Sequence, residues 1–275
     1  MTYCVAMRVD EGLVFLSDTR TNAGIDHVST FRKMVVFEVP DEQVVVLLSS
    51  GNLAITQAVT QRLASQPDTD PQSIWRVRSL HDAARLVGDA VRAVHARDAQ
   101  SLREFGVDFN CGFIVGGQVR GEAPRLFQIY AAGNFIEASP LSPYVQIGEA
   151  KYGKPIIDRM LDESMPLADA TKCALISMNS TIRSNMSVGL PVDLLVYERD
   201  ALRATKFATF DEDDPYYWML HATWAERQRS MFDEIPNLPW DEVAAVPPPR
   251  AAPERTALRD GAEMERERES GRTIW

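Results

Sequence analysis

Position 2 brings together two groups whose chemistry is complementary. A small residue after the initiator lets Met1 be trimmed, and Thr2 would then carry a hydroxyl and a free α-amine at the start of an apolar run. An α-amine has an unperturbed pKa of about 7.7–8.0, so a substantial neutral fraction near pH 7 can take the hydroxyl proton. Thr2 is therefore a candidate nucleophile with its own base, and a neighbouring lysine would ease the deprotonation further. The plain alternative is that Thr2 only begins a strand.

Other reactive residue types carry less. Cys4, Cys111 and Cys173 are odd in number and far apart, with no Cys-x-x-Cys pair, and read as small buried thiols. His27, His81, His95 and His221 share no metal-ligand spacing and read as packing or solvated histidines, so no metal or organic cofactor is expected. Tyr216-Tyr217-Trp218 resembles a base-stacking cluster, but Asp211 to Asp214 beside it would repel a phosphate backbone, which leaves packing or a subunit contact. The sequence has no glycine-rich phosphate loop and no Gly-x-Ser-x-Gly elbow.

A chain of 275 residues, 45% hydrophobic and 25% charged, can bury a real core, which excludes a wholly disordered, collagen-like or coiled-coil protein. Lys plus Arg number 29 against 39 Asp plus Glu, and the net charge of −10 argues against nucleic acid as a partner. No apolar run approaches the roughly 18–20 residues that span a bilayer, and no basic region followed by an apolar stretch opens the chain. A cytoplasmic protein without membrane partners is expected.

The elements that must position Thr2 begin with a hairpin, Thr2 to Val9 and Leu13 to Leu16 around Asp10-Glu11-Gly12. A second pair, Met34 to Val39 and Val44 to Leu48, alternates too little to have one wet face and should be covered on both sides. Asn52 can cap a helix through Ala64, and an apolar stripe from Leu80 to Val94 predicts another reaching about Ala96. Strand texture returns over 110–119, 125–131 and 144–147, a helical stripe over 167–182, and strands over 192–197 and 203–210. Strands, helix pair, strands, helix pair and strands predict an α+β fold, a four-layer αββα sandwich, and exclude a parallel βαβ repeat. A further amphipathic helix is expected over 216–232. Residues 1–240 read as one domain, and 241–275 as a Pro/Arg/Glu-rich tail that is flexible or lies between subunits, with Ile274 and Trp275 as terminal anchors.

The set around Thr2 is more telling: Ser17-Asp18-Thr19-Arg20-Thr21-Asn22-Ala23-Gly24, then Phe31-Arg32-Lys33-Met34, then Ser49-Ser50-Gly51. In order and spacing this resembles the proteasome β-subunit family of N-terminal nucleophile hydrolases. Thr-Tyr-Cys-Val-Ala at the start, Ile-Gly-Glu-Ala-Lys-Tyr-Gly-Lys-Pro from Ile147 and Ser-Val-Gly-Leu-Pro-Val-Asp from Ser187 are similar to its bacterial ancestral β-subunit branch, Anbu. The likeness covers about residues 2–240.

The resemblance implies roles. Thr2 would be the nucleophile, Lys33 would lower its hydroxyl pKa, Asp18 would orient Lys33, and Ser187 would hydrogen-bond the freed amine. Gly51 would offer its N–H to the oxyanion, where one such donor is worth about 3–4 kcal/mol. Asn22 stands where a substrate-binding threonine is common, Ser184 where an aspartate is frequent, and Glu149 where a serine is usual. Glu149 is read as a site residue that recruits a basic group or water, or as a partner of Lys151 outside the site. Arg20 is read as a catalytic cation or as a brace that contacts Asp18. The resemblance implies a threonine-type hydrolase of peptides or peptide-like amides in a homo-oligomeric ring or spiral, with any unfoldase or ligase partner unspecified. A scaffold subunit of the same fold and a small-molecule amidase are the alternatives.

Overall fold

The computed structural model describes residues 2–22, 28–244, 246 and 248–249, with side chains for all of these except 22 and 28. Two five-stranded antiparallel sheets carry the fold. The first holds β1 (Tyr3–Val9) and β2 (Gly12–Asp18), flanked by β10 (Tyr144–Gly148) on one side and by β11 (Val192–Glu198) and β12 (Lys206–Phe210) on the other. The second runs in chain order: β5 (Met34–Val39), β6 (Gln43–Gly51), β7 (Cys111–Val119), β8 (Arg125–Ile129) and β9 (Phe135–Glu137). A small hairpin of β3 (Arg20–Asn22) and β4 (Val28–Thr30) stands apart from both.

Side-chain alternation along each strand divides the interior into three apolar layers. Cys4, Ala6, Leu13 and Phe15 of the first sheet meet Val46, Leu48 and Ile114 of the second. The opposite face of the first sheet, with Tyr3, Val5 and Leu16, packs under α3 (Ala150–Met160) and α4 (Leu167–Ser184). The outer face of the second, with Val45, Leu47 and Phe113, packs under α1 (Leu53–Ala64) and α2 (Leu80–Glu104). The protein is thus a four-layer αββα sandwich, and apolar strands without alternation follow from burial on both faces.

The structure also corrects the local expectations. Helix α2 runs to Glu104 and not to Ala96, because helix-favouring Arg, Asp and Gln continue past the apolar stripe and Gly106 is the first breaker. Strand β12 starts at Lys206 rather than Arg203, after Leu202 with positive φ. The three-residue strands β3, β4 and β9 are too short to show a period. Helix α3, which contains Pro155, supplies the first member of the second helix pair. The last helix, α5 (Pro215–Glu234), lies where it was expected, and its Tyr217 and Leu220 are buried in the layer beneath α4. The chain divides into two units, Met1–Ser230 and Met231–Trp275, and the sandwich belongs to the first. Ile274, Trp275 and almost all of the tail beyond 244 lie outside the described residues.

Candidate active site

Thr2 sits where three elements meet. The residue after it is fixed from below: Tyr3 is fully buried, its hydroxyl shares a 2.5 Å hydrogen bond with Ser177 Oγ of α4, and it accepts another from Gln146 Nε2 of β10. The Tyr3 backbone N–H donates to Asp18 Oδ1 at 3.0 Å, which ties the start of β1 to the end of β2. From the other side the Glu149 N–H donates to the Thr2 carbonyl at 2.8 Å. Gly148 makes this approach possible. Its φ is +83°, and a Cβ there would fall 1.9 Å from the Thr2 carbonyl oxygen.

Beneath Thr2 lies a buried ion pair. Lys33, on the segment entering β5, donates from Nζ to Asp18 Oδ1 at 2.7 Å and to the Arg20 carbonyl at 2.7 Å. Lys33 is 6% exposed and Asp18 not at all. Burial pushes the Asp18 carboxyl up from the ordinary aspartate range, while the Lys33 charge and the Lys33 and Tyr3 hydrogen bonds pull the other way. An ammonium has three N–H donors, and two are used among the described residues, so the third is left for the cavity that Lys33 lines.

That cavity, of about 830 Å³, brings together Thr2, which is 9% exposed, Lys33, Gly51 and Glu149. Gly51 ends β6 at φ +105°, with a Cβ position only 2.5 Å from the Asn110 carbonyl, so the sequence can place little else there. Glu149 precedes α3, and its carboxylate is 3.7 Å from the exposed ammonium of Lys151. It therefore lines the cavity, and the contact with Lys151 that the second reading placed outside the site is made from the cavity wall.

Ser187 lies in the turn after α4, where its N–H donates to Asn185 Oδ1 at 2.9 Å. Its hydroxyl has no hydrogen bond among the described residues and is not on the cavity wall. The side chain of Asn22 lies outside the described residues. Its neighbour Thr21 does line the cavity, with Oγ1 buried and without a hydrogen bond among the described residues. Sequence reasoning missed Thr21 as well as Ser49, Ser50, Asn52, Thr56 and Asn110 on the same wall. The register Gly51↔Cys111 would have pointed to Asn110 once Gly51 was placed.

Arg20 does not brace Asp18. The carboxylate is sequestered with Lys33, and the Arg20 guanidinium donates instead to the Met186 carbonyl at 3.2 Å, pinning the turn that holds Ser187. The three cysteines are free and buried, as the sequence suggested. Burial pushes the Cys4 thiol far up and Cys111 and Cys173 to about 11, so none offers a thiolate near neutral pH. Among the described histidines, His81 meets Phe135 edge-on, His95 meets Phe109, and His221 Nδ1 bonds Asn179 Oδ1 at 2.8 Å.

No helix of the described residues is long and apolar enough to cross a membrane. The profile of the family described as "Proteasome subunit" matches residues 2–196. No curated protein matches. Among solved structures, Anbu (ancestral β-subunit) from Yersinia bercovieri is 49% identical with a TM-score of 0.79, over 86% of this chain and 99% of that one. A Gly-1 mutant of Anbu from Hyphomicrobium sp. strain MC1 is 45% identical with a TM-score of 0.81 over the same shares. A structure described as the helical assembly of the Anbu complex from Pseudomonas aeruginosa is 46% identical with a TM-score of 0.83, over 88% of this chain and 100% of that one. The chain belongs to the proteasome subunit family, in its ancestral β-subunit (Anbu) branch.

Proposed function

We propose that this chain is a threonine-type amide hydrolase in which removal of Met1 frees Thr2 as nucleophile and base. The observation that carries the reading is the buried Lys33–Asp18 pair, with Lys33 and Thr2 on the wall of one cavity. The Thr2 hydroxyl gives its proton to the α-amine as Oγ bonds to the substrate carbonyl carbon. Lys33 favours the alkoxide character of Oγ, and Asp18 keeps the lysine charged and aimed. The Gly51 N–H is the donor assigned to the oxyanion. The resulting ammonium protonates the leaving amine as the C–N bond breaks, leaving an ester on Thr2. Water, deprotonated by the same amine, then releases the acid and restores the hydroxyl. Ser187 would orient the amine once it is free, and the backbone around Asn22 would run along the substrate.

The substrate class is a peptide or peptide-like amide, and the working form a homo-oligomer in the cytoplasm. The description of the Pseudomonas aeruginosa relative as a helical assembly supports an open spiral over a closed ring. Residues 241–275 are proposed as an appendage to the catalytic domain. The test is intact mass and N-terminal sequencing of purified protein, followed by capture with a β-lactone or epoxyketone. Wild type should begin at Thr2 and take one adduct there, and Thr2→Ala should take none while folding normally. Equal labelling of both proteins would sink the threonine mechanism.

A further inference from the structure

The geometry points to a substrate preference: the cavity beside Thr2 takes amides that place a cationic group, an ammonium or a guanidinium, next to the scissile carbonyl, with Glu149 as its counter-charge. The inference rests on the nucleophile reading above, which locates the scissile bond. Among the described residues, the two charged side chains that line the cavity are Lys33 and Glu149. The Lys33 charge is matched at 2.7 Å by Asp18, and the freed Thr2 amine acts as base in its neutral form, so in the reactive state Glu149 sets the sign of the remaining field.

Glu149 is held close to the reacting residue, since its own N–H bonds the Thr2 carbonyl at 2.8 Å. Its side chain is 16% exposed, whereas its partner Lys151 is 70% exposed and 3.7 Å away. Such a water-screened pair is weak, and an incoming cation can share or replace Lys151 at little cost. The rest of the wall suits the same ligand. Among the described residues, Ser50 and Asn110 add polar groups to the wall, and Leu53 is its one large apolar side chain. A leucine-like group would leave those polar atoms unmatched, and an acidic group would face Glu149. The cation can come from a lysine or arginine side chain or from the free α-amine of a short peptide.

The test uses the full chain with Met1 removed and follows adducts at Thr2 by intact mass. Three Nα-capped tripeptide epoxyketones differ only in the residue beside the warhead: arginine, leucine or aspartate. A fourth probe has leucine there and a free α-amine one residue away. The capped arginine probe is expected to label at least about tenfold faster than capped leucine, with aspartate slowest. A larger advantage for the free-amine probe would assign the cation to a peptide N-terminus. In Glu149→Gln the ratio of cationic to leucine rates should fall toward one, and in Glu149→Lys below one. Because each ratio is taken within one protein, any general loss of reactivity cancels. Capped leucine labelling as fast as both cationic probes, or a cationic advantage that survives both substitutions, overturns the inference.

If a small uncharged β-lactone leaves Thr2 unlabelled, the nucleophile reading falls separately. The cavity is then judged on Thr2→Ala by calorimetric titration with Nα-acetyl-arginine amide and Nα-acetyl-leucine amide. Tighter arginine binding that Glu149→Gln removes supports the preference, and equal binding of the two, or none, overturns it.

Discussion

The site contains two carboxylate–lysine pairs that differ in almost everything except their chemistry. Asp18 and Lys33 meet at 2.7 Å with essentially no solvent, and each makes a further hydrogen bond, to the Tyr3 N–H and the Arg20 carbonyl. Glu149 and Lys151 stand 3.7 Å apart, and the lysine lies mostly in water. Where solvent is excluded the attraction is strong, but both charges carry a desolvation cost that only the partner offsets, so neither can leave. At the rim, water screens the pair and either member can find another partner. Burial therefore suits the first pair to holding one charge in place during chemistry, and exposure suits the second to exchange with whatever enters.

The comparison breaks most sharply at the buried pair. Lys33→Ala should lower electrophile capture at Thr2 by about 10³-fold or more, because nucleophile and activator act as a unit. It should also cost about 3–5 kcal/mol of stability, since Asp18 is left as an unpaired buried charge. Capture rates and urea midpoints measured together check both. Near-normal labelling at neutral pH would remove Lys33 from the mechanism, and unchanged stability would mean that Asp18 is neutral in the fold.

The seam between the pairs comes next. Gly148→Ala puts a methyl against the Thr2 carbonyl and forces a residue with a side chain to φ +83°, so the Glu149 N–H bond to Thr2 must break or shift. A loss of about 2–3 kcal/mol is expected, with slower capture although no proposed reacting group has changed. Thermal melts and labelling rates measure it, and an alanine variant indistinguishable from wild type would show that Thr2 does not depend on this clamp.

How much of this was legible beforehand depends on length scale. The sandwich was readable because runs such as Val44 to Leu48 stay apolar on both faces, which only doubly covered sheets allow. Thr2 stood out by its own chemistry, Asp18, Lys33 and Gly51 were named through the family resemblance, and the structure gathers Thr2, Lys33 and Gly51 on one wall with Asp18 behind. The rest of the cavity wall was not readable. Part of it comes from β3, three residues long, in which a shift of one position exchanges the two faces, and so Thr21 escaped notice beside Asn22. Arg20 was misjudged for a related reason: sequence proximity to Asp18 says nothing of which cation can be buried with it, and Lys33 reaches both the carboxylate and the Arg20 carbonyl.

Acidification sharpens the contrast within the buried pair. Burial raises the Asp18 pKa, so as pH falls this carboxyl takes up its proton before an ordinary aspartate near 3.9 does. Lys33 then loses its counter-charge and its acceptor, and capture should decline from the acid side beginning above that range. The α-amine also protonates as pH falls, since an unperturbed α-amino group titrates at about 7.7–8.0, so the rate profile alone does not separate the two. Carboxyl ¹³C chemical shifts of labelled aspartates do: Asp18 should titrate above exposed Asp158, which Lys154 and Tyr144 hold below its usual value. An Asp18 signal that moves at or below that of Asp158 would mean that Lys33 outweighs burial.

The smallest effect belongs to the rim. Lys151→Ala removes a mostly solvated ammonium at 3.7 Å, a contact worth about 0.5 kcal/mol or less, so the melting temperature should move by no more than a degree or two. Its consequence lies in the cavity, where Glu149 loses its competitor for cations and a capped arginine probe should label about two- to threefold faster at low salt. Adding salt should shrink that gain, because the field at the mouth is screened over roughly 8–10 Å at 0.1–0.15 M ionic strength. The buried pair makes the opposite demand: the same salt step should leave the penalty of Lys33→Ala nearly unchanged. A Lys151→Ala variant that loses several kcal/mol, or whose arginine labelling ignores salt, would show that the two pairs do not differ in the way their burial requires.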